Sequence, residues 1–266
     1  MRIRSFIQIL NIANISFRHA EEYIIYFRDT SSKPPFKVKF PYPFTPLHFR
    51  IIGALFGDGN VHKKNKMARW IQKDPTPMLI LFEYLIDSNF KIHTNSMQIT
   101  IPAFFTKMAA KILKLDQINL GSEKLLEASS LLPKIYRFVL LLAIIEDEGN
   151  IDVKNYGCVS IRISSEKGIY LIEQLCDSLD YKTSEIKRYI NNGTFGTNFM
   201  YKLNILSKGI EQLGYDLLEF ELNYGCLGSL WKKRDPFFER WKICARFDGK
   251  IPLGYKRDGV YMSKKL

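Results

Sequence analysis

A chain of 266 residues with 39 Lys and Arg against 27 Asp and Glu carries a net charge of +12, and 46% of its residues are hydrophobic. That describes one large domain or two small ones with ample chain for a core, and the charge points to a polyanionic partner. The longest apolar run, 138–145, is far short of the ~20 residues of a membrane span, so no membrane partner is expected. The first 17 residues start basic, but Gln8, Asn11 and Asn14 interrupt the apolar stretch, which argues against a signal peptide and for an intracellular protein. Cys158, Cys176, Cys226 and Cys244 lack CxxC spacing and read as buried free thiols; His19, His48, His62 and His93 are scattered.

In chain order, the spacing of Phe6, Ile9, Leu10, Ala13 and Phe17 predicts an amphipathic helix, followed by a strand at 23–27. Prolines from Pro34 to Pro46 read as an extended link. Residues 51–60 and 141–150 are then two apolar runs that each end in an acid, a glycine and an asparagine. With Pro46 and Pro133 as first-turn prolines, and Gly59 and Gly149 at the left-handed position past a helix end, two helices should close at Asp58 and Glu148. Both carboxylates would sit where the macrodipole disfavours an anion by roughly 0.3–1 kcal/mol, so a positive group should compensate. Gly53 and Gly57, four apart on one face, let a partner helix approach closely. If the two helices pack on each other, Asp58 and Glu148 meet as oxygen ligands for divalent cations, Mg²⁺ being the commonest.

After the first motif the pattern predicts a strand at 67–73, a helix at 76–88, a hairpin at 91–94 and 97–101, and a helix at 103–115. After the second it predicts strands at 151–154 and 158–164, a helix at 166–179, strands at 182–190 and 199–205, and a helix at 208–220. Asp58, Gly59 and Asn60 map onto Glu148, Gly149 and Asn150 at an offset of 90, and 82–88 maps onto 172–178 at the same offset, which marks an internal repeat. Ile99 and Ile101 correspond to Leu203 and Ile205 at an offset of 104, so the second hairpin is the longer by 14 residues, around 191–194. The fold class is α+β, two pseudo-symmetric αββαββα repeats at 45–128 and 129–220, with extensions at 1–44 and 221–266.

These residues resemble the LAGLIDADG homing endonucleases in their single-chain form with two motifs. Gly53, Asp58 and Gly59, and again Ala143, Glu148 and Gly149, fall on the third, eighth and ninth motif positions, and the resemblance spans 45–220. Ala143 stands where a close-packing glycine is usual, and Asp147 where a small residue is common. The resemblance implies a saddle-shaped antiparallel sheet surface on double-stranded DNA with a long asymmetric site. It also implies a monomer that uses Mg²⁺ (or Mn²⁺) to cut both strands, leaving short 3′ overhangs. Asp58 and Glu148 would be catalytic and hold metal together with Gly57 and Asp147; Gly53, Gly57 and Ala143 would pack the helices; Lys114 is the candidate basic residue near the active-site water.

Charge is concentrated at the ends: 1–44 holds 7 basic and 3 acidic residues and 221–266 holds 11 and 5, against 21 and 19 between them. A two-stranded ribbon fits the DNA major groove, with alternate side chains facing it. The first-repeat candidates are Lys63, Lys64, Lys66, Arg69, Gln72 and Lys73; those of the second are Lys154, Arg162, Lys182, Lys187, Arg188, Tyr189 and Lys202. Trp231-Lys232-Lys233-Arg234 and Trp241-Lys242 interleave aromatics with bases. That suits base stacking, or the packing of Trp231, Phe237, Phe238 and Trp241 on the core. Three functions follow: a site-specific DNA endonuclease, which needs both acids; an intron RNA maturase, which would use the basic tail on RNA; and a non-catalytic DNA-binding regulator, which would tolerate the irregular second motif.

Overall fold

The computed structural model describes residues 3–16, 19–20, 26–27, 36–37, 44–61, 68–86, 97–101, 103–115, 123–153, 158–193, 196–247, 249–250, 255–257 and 260–262. Its helices are α1 (Ile3–Ile12), α2 (Pro46–Asp58), α3 (Thr76–Ile86), α4 (Ala103–Ile112), α5 (Glu123–Ser129), α6 (Lys134–Glu148), α7 (Glu166–Asp177), α8 (Ser207–Tyr224) and α9 (Arg234–Ala245). The strands are β1 (Tyr26–Phe27), β2 (Phe36–Lys37), β3 (Gly59–Val61), β4 (Ala68–Ile71), β5 (Gln98–Ile101), β6 (Gly149–Ile151), β7 (Val159–Ile163), β8 (Lys187–Gly193), β9 (Gly196–Ile205), β10 (Tyr255–Arg257) and β11 (Val260–Met262). The architecture is α+β with antiparallel sheets.

Pro46 opens α2 because the N–H it lacks would be unsatisfied there anyway. Thr45 N donates to His48 Nδ1 at 2.9 Å, which closes the first turn. In α6, residues 138–146 are all buried, the outcome expected of a helix that is apolar on every side. α2 and α6 pack directly on each other, and each leads straight into a sheet. The first sheet has the order β3-β4-β5, the second β6-β7-β9-β8. Their registers match: Gly59 pairs with Trp70 and Trp70 with Ile99, while Gly149 pairs with Ile161 and Ile161 with Leu203.

Alternation puts Ala68, Trp70, Ile99 and Ile101 on the core face of the first sheet, and Val159, Ile161, Leu203 and Ile205 on that of the second. The helices α3, α4, α7 and α8 cover these faces with Leu81, Phe82, Phe105, Ile172, Leu213 and Leu217, all buried. The tail joins the same core through Trp231, Phe237, Phe238 and Trp241, so its aromatics pack inward. Trp241 lies so close to Gly214 of α8 that a Cβ there would overlap its ring.

Several boundaries differ from expectation. Residues 182–186 precede β8 and pair only through a bridge from Thr183 to Ile205, because the chain leaving α7 turns there through the left-handed Asp180. Residues 221–224 continue α8, so the last segment begins at Gly225, whose φ of 72° breaks the helix. Helix α1 stops at Ile12 before the left-handed Asn14; Leu10 is buried, whereas Ile12 is 86% exposed. The predicted strand at 91–94 and residues 23–25 lie outside the described residues, as do His62 and His93. No disulfide joins the four cysteines; Cys176 is fully buried and the other three partly so. No described helix is long and apolar enough to cross a membrane.

His48 is 2% exposed, and burial holds its pKa down to about 4, against the ordinary 6.5. A group depressed in this way contributes stability that is intact above the unfolded pKa and is lost as pH falls through the folded one. Between pH 6.5 and 4 the protein should therefore lose on the order of 3 kcal/mol through this residue. Urea denaturation across that window should show the loss, and His48→Gln should reduce it.

Candidate active site

Gly53 meets Ala143 and Gly57 meets Asp147: a Cβ built on either glycine would lie 2.5 Å from the Ala143 Cβ or 2.6 Å from the Asp147 Cβ. Both contacts join positions 90 apart and run in the same direction, so α2 and α6 lie parallel and their C-terminal ends come to one place. Ala143, fully buried, is accommodated because the residue facing it has no side chain. Asp58 is the last residue of α2 and Glu148, partly buried, the last of α6.

Gly59 and Gly149 are not left-handed; their φ/ψ values of −95°/159° and −82°/150° are extended, and each starts a strand. Glycine is needed there for space: a Cβ at Gly59 would lie 2.5 Å from the backbone of Leu55, and one at Gly149 would strike the Ile145 carbonyl. The chain thus passes from helix to strand by folding back against the helix's last turn. The Asp147 side chain lies in the interface against Gly57, with Oδ2 sealed from solvent.

Two parallel helix ends bring two negative dipole ends together, and the compensating charge comes from the tail. Lys233 Nζ donates to the Ile145 carbonyl at 3.0 Å and also to that of Glu146. The Glu146 carboxylate, buried, accepts Trp231 N at 3.0 Å and Lys232 N at 3.2 Å. Arg50 of α2 is fully buried; its Nε donates to the Ser229 carbonyl at 3.3 Å, and its guanidinium lies 3.9 Å from the Trp231 ring centroid. Burial presses Arg50 towards the neutral form, and the Asp147 and Glu146 carboxylates oppose this. Arg50 and Glu146 were not among the sequence candidates, and Lys233 was named only within the basic, aromatic tail. Basic character in a tail 88 residues from its contact carries no signal of where it will dock.

The outer faces of the sheets carry the other candidates. In the first, Arg69, exposed, opposes Thr100, and Ile71, 54% exposed, opposes Gln98. Gln72 and Lys73 follow the end of β4. In the second, Arg162 opposes Lys202, which opposes Lys187, giving three cations abreast on three neighbouring strands with no ion pair among the described residues. Tyr189 opposes Met200 on the same face. Arg188 falls on the opposite face by alternation: it pairs with Tyr201, buried in the core, and its guanidinium lies 3.8 Å from the Phe199 ring centroid. Continued by one residue, the two ladders bring the end of α6 level with Arg162 and the end of α2 level with Ile71.

Lys182 is exposed but stands outside the sheet. Lys114, with φ of 55°, closes α4, where Leu115 N bonds back to the Ala110 carbonyl. Lys63, Lys64, Lys66 and Lys154 lie outside the described residues. No cluster of three or more His, Cys, Asp or Glu is present among the described residues. The donor types suit a hard cation: both helices end in a carboxylate-bearing residue, and Mg²⁺ binds through one or two carboxylates while keeping several waters.

No protein-family model and no curated protein matches this chain. Solved structures do match. One is a variant of I-DmoI in complex with its target DNA in the presence of Mg, 14% identical over 60% of this chain and 88% of that one, with a TM-score of 0.37. A second, an I-DmoI variant with target DNA nicked in the coding strand and Mn, is 14% identical over 68% and 95%, with a TM-score of 0.39. A third, I-DmoI with DNA and Mn, is 13% identical over 66% and 94%, with a TM-score of 0.38. I-DmoI is a single-chain LAGLIDADG homing endonuclease.

Substituting Gly53→Val puts a side chain into Ala143 and should cost about 1–3 kcal/mol by overpacking, read as a lower urea midpoint. Adding Ala143→Gly to that variant should restore part of the loss, because it removes the nearest atom struck while Leu140 stays close.

Proposed function

We propose that this chain is a site-specific endonuclease of the homing type, hydrolysing both strands of double-stranded DNA with a divalent metal. The observation that carries the reading is the parallel packing of Gly53 on Ala143 and Gly57 on Asp147, which brings two acid-bearing helix ends together. One carboxylate for each of two scissile phosphates is what a double-strand cut requires. Two sheets with cations on their outer faces flank that point.

In this reading Asp58 and Glu148 hold Mg²⁺ or Mn²⁺ together with the helix-end carbonyls of Gly57 and Asp147. Such an ion supplies an activated water and stabilisation of the leaving 3′ oxygen. The chain's own residues do the rest. Arg162, Lys187 and Lys202 repel one another by about 1 kcal/mol per neighbouring pair at about 5 Å even in water, and a phosphate backbone relieves that repulsion. Arg69 does the same on the first sheet. At corresponding positions the two halves differ, Ile71 and Gln98 against Arg162 and Lys202, which fits an asymmetric target.

Incubating the protein with a randomised DNA library and Mg²⁺ should yield recurrent cut ends that disappear with Asp58→Asn or Glu148→Gln. Enriched but uncut fragments would instead mark a DNA-binding protein without nuclease activity, and enrichment only from an RNA library would mark a maturase. Replacing Arg162, Lys187 and Lys202 singly by Gln should lower the slope of log affinity against log salt by about 0.9 for each phosphate that is no longer neutralised, read by fluorescence anisotropy in Ca²⁺.

A further inference from the structure

The tail from Ser229 to Arg234 joins the two motif helices and ends at α8. Its Ser229 carbonyl takes the Arg50 Nε–H from α2, and its Trp231 ring lies under the Arg50 guanidinium. Its Trp231 and Lys232 amides take the Glu146 carboxylate from α6. At the far end Arg234 grips Glu221 of α8 with Nε at 2.8 Å and Nη2 at 2.7 Å, and Ser229 Oγ donates to the same carboxylate at 2.5 Å. Trp231 Nε1 closes the segment on itself through the Leu227 carbonyl.

Lys233 lies within this strap, and its ammonium binds the carbonyls of Ile145 and Glu146. Those are carbonyls of the last turn of α6, the groups a helix leaves without intrahelical partners. The Ile145 carbonyl also receives the Gly149 N–H, so one acceptor ties the helix to both the strap and β6. Glu148 stands between these two attachments, two residues after Glu146 and one before Gly149.

We propose that Lys233 is a positioning residue for Glu148, and that the tail thereby sets one of the two halves of the cutting site. This deepens the nuclease reading and rests on it. Among the described residues the strap's lysine reaches the end of α6. The end of α2 is instead followed by a sheet whose nearest outward residues in register are Ile71 and Gln98. The two cuts therefore depend on different supports: the one assigned to Glu148 on the tail, the one assigned to Asp58 on the first repeat.

The test uses the full-length chain, a supercoiled plasmid carrying its selected site, and three variants. Lys233→Met keeps the aliphatic stem and removes the ammonium. Lys233→Arg keeps a donor that can reach a carbonyl. Glu221→Gln loosens the strap at Arg234 without touching the end of α6. Lys233→Met should nick one strand at the normal rate and convert open circles to linear DNA between about 10- and 100-fold more slowly, the cost of a small misplacement of a reacting group. Its amides at 147–150 should exchange hydrogen faster while those at 57–59 do not, a readout independent of cleavage. Lys233→Arg should recover most of both properties, and Glu221→Gln should leave the ratio of the two cutting rates unchanged. Linear product at the wild-type rate from Lys233→Met, or two cuts slowed alike in step with lost thermal stability, would overturn the assignment. A wild-type chain that selects a DNA site but cuts neither strand would overturn the nuclease reading itself, and the role of Lys233 in cleavage with it.

Discussion

The close approach of α2 and α6 is the constraint on which the rest of the structure depends. Gly53 has no Cβ, and so the partner helix can carry Ala143 there; Gly57 has none, and so Asp147 fits beside it. Because both contacts run in the same sense, the acids, the glycines after them and the first strands of both sheets are brought to one level. A helix pair splayed by even one methyl group would separate the two ends by that distance. A shift of about 1 Å is enough to disable reacting groups.

Much of this was legible in local sequence. The helix ends at Asp58 and Glu148 follow from a run of apolar residues stopped by acid and glycine, and the glycines 90 apart that follow them pair in the same way, Gly59 with Trp70 and Gly149 with Ile161. The extra length of the second hairpin, read from Ile99 and Leu203, is present as β8 and the extended β9. What failed to be legible was of two kinds. At Gly59 and Gly149 the residue type was right but the reason was steric, since glycine is demanded by the backbone of the preceding turn rather than by positive φ. At Arg188 the charge was legible but the face was not, because a strand's parity is known only once its partner fixes the register.

The candidate site was harder to read than the fold. Arg50 sits in a motif helix at full burial, where pattern alone would place an apolar residue, and its environment is completed by Trp231, nearly two hundred positions later. Lys233 is one of several lysines in a basic tail, and only the docked chain distinguishes it from Lys232, which is exposed. The four tail aromatics were readable as core or as ligand contacts, and their packing against the first sheet and α8 decides for the core.

The row of Arg162, Lys202 and Lys187 has a consequence for how the molecule behaves without a partner. Like charges set side by side on adjacent strands oppose folding, and dissolved ions screen them. Added salt should therefore firm up the second sheet of the free protein while loosening its hold on a polyanion. Ionic strength then acts on the two states in opposite directions. Thermal melts of the free chain and of its complex would converge as salt is raised.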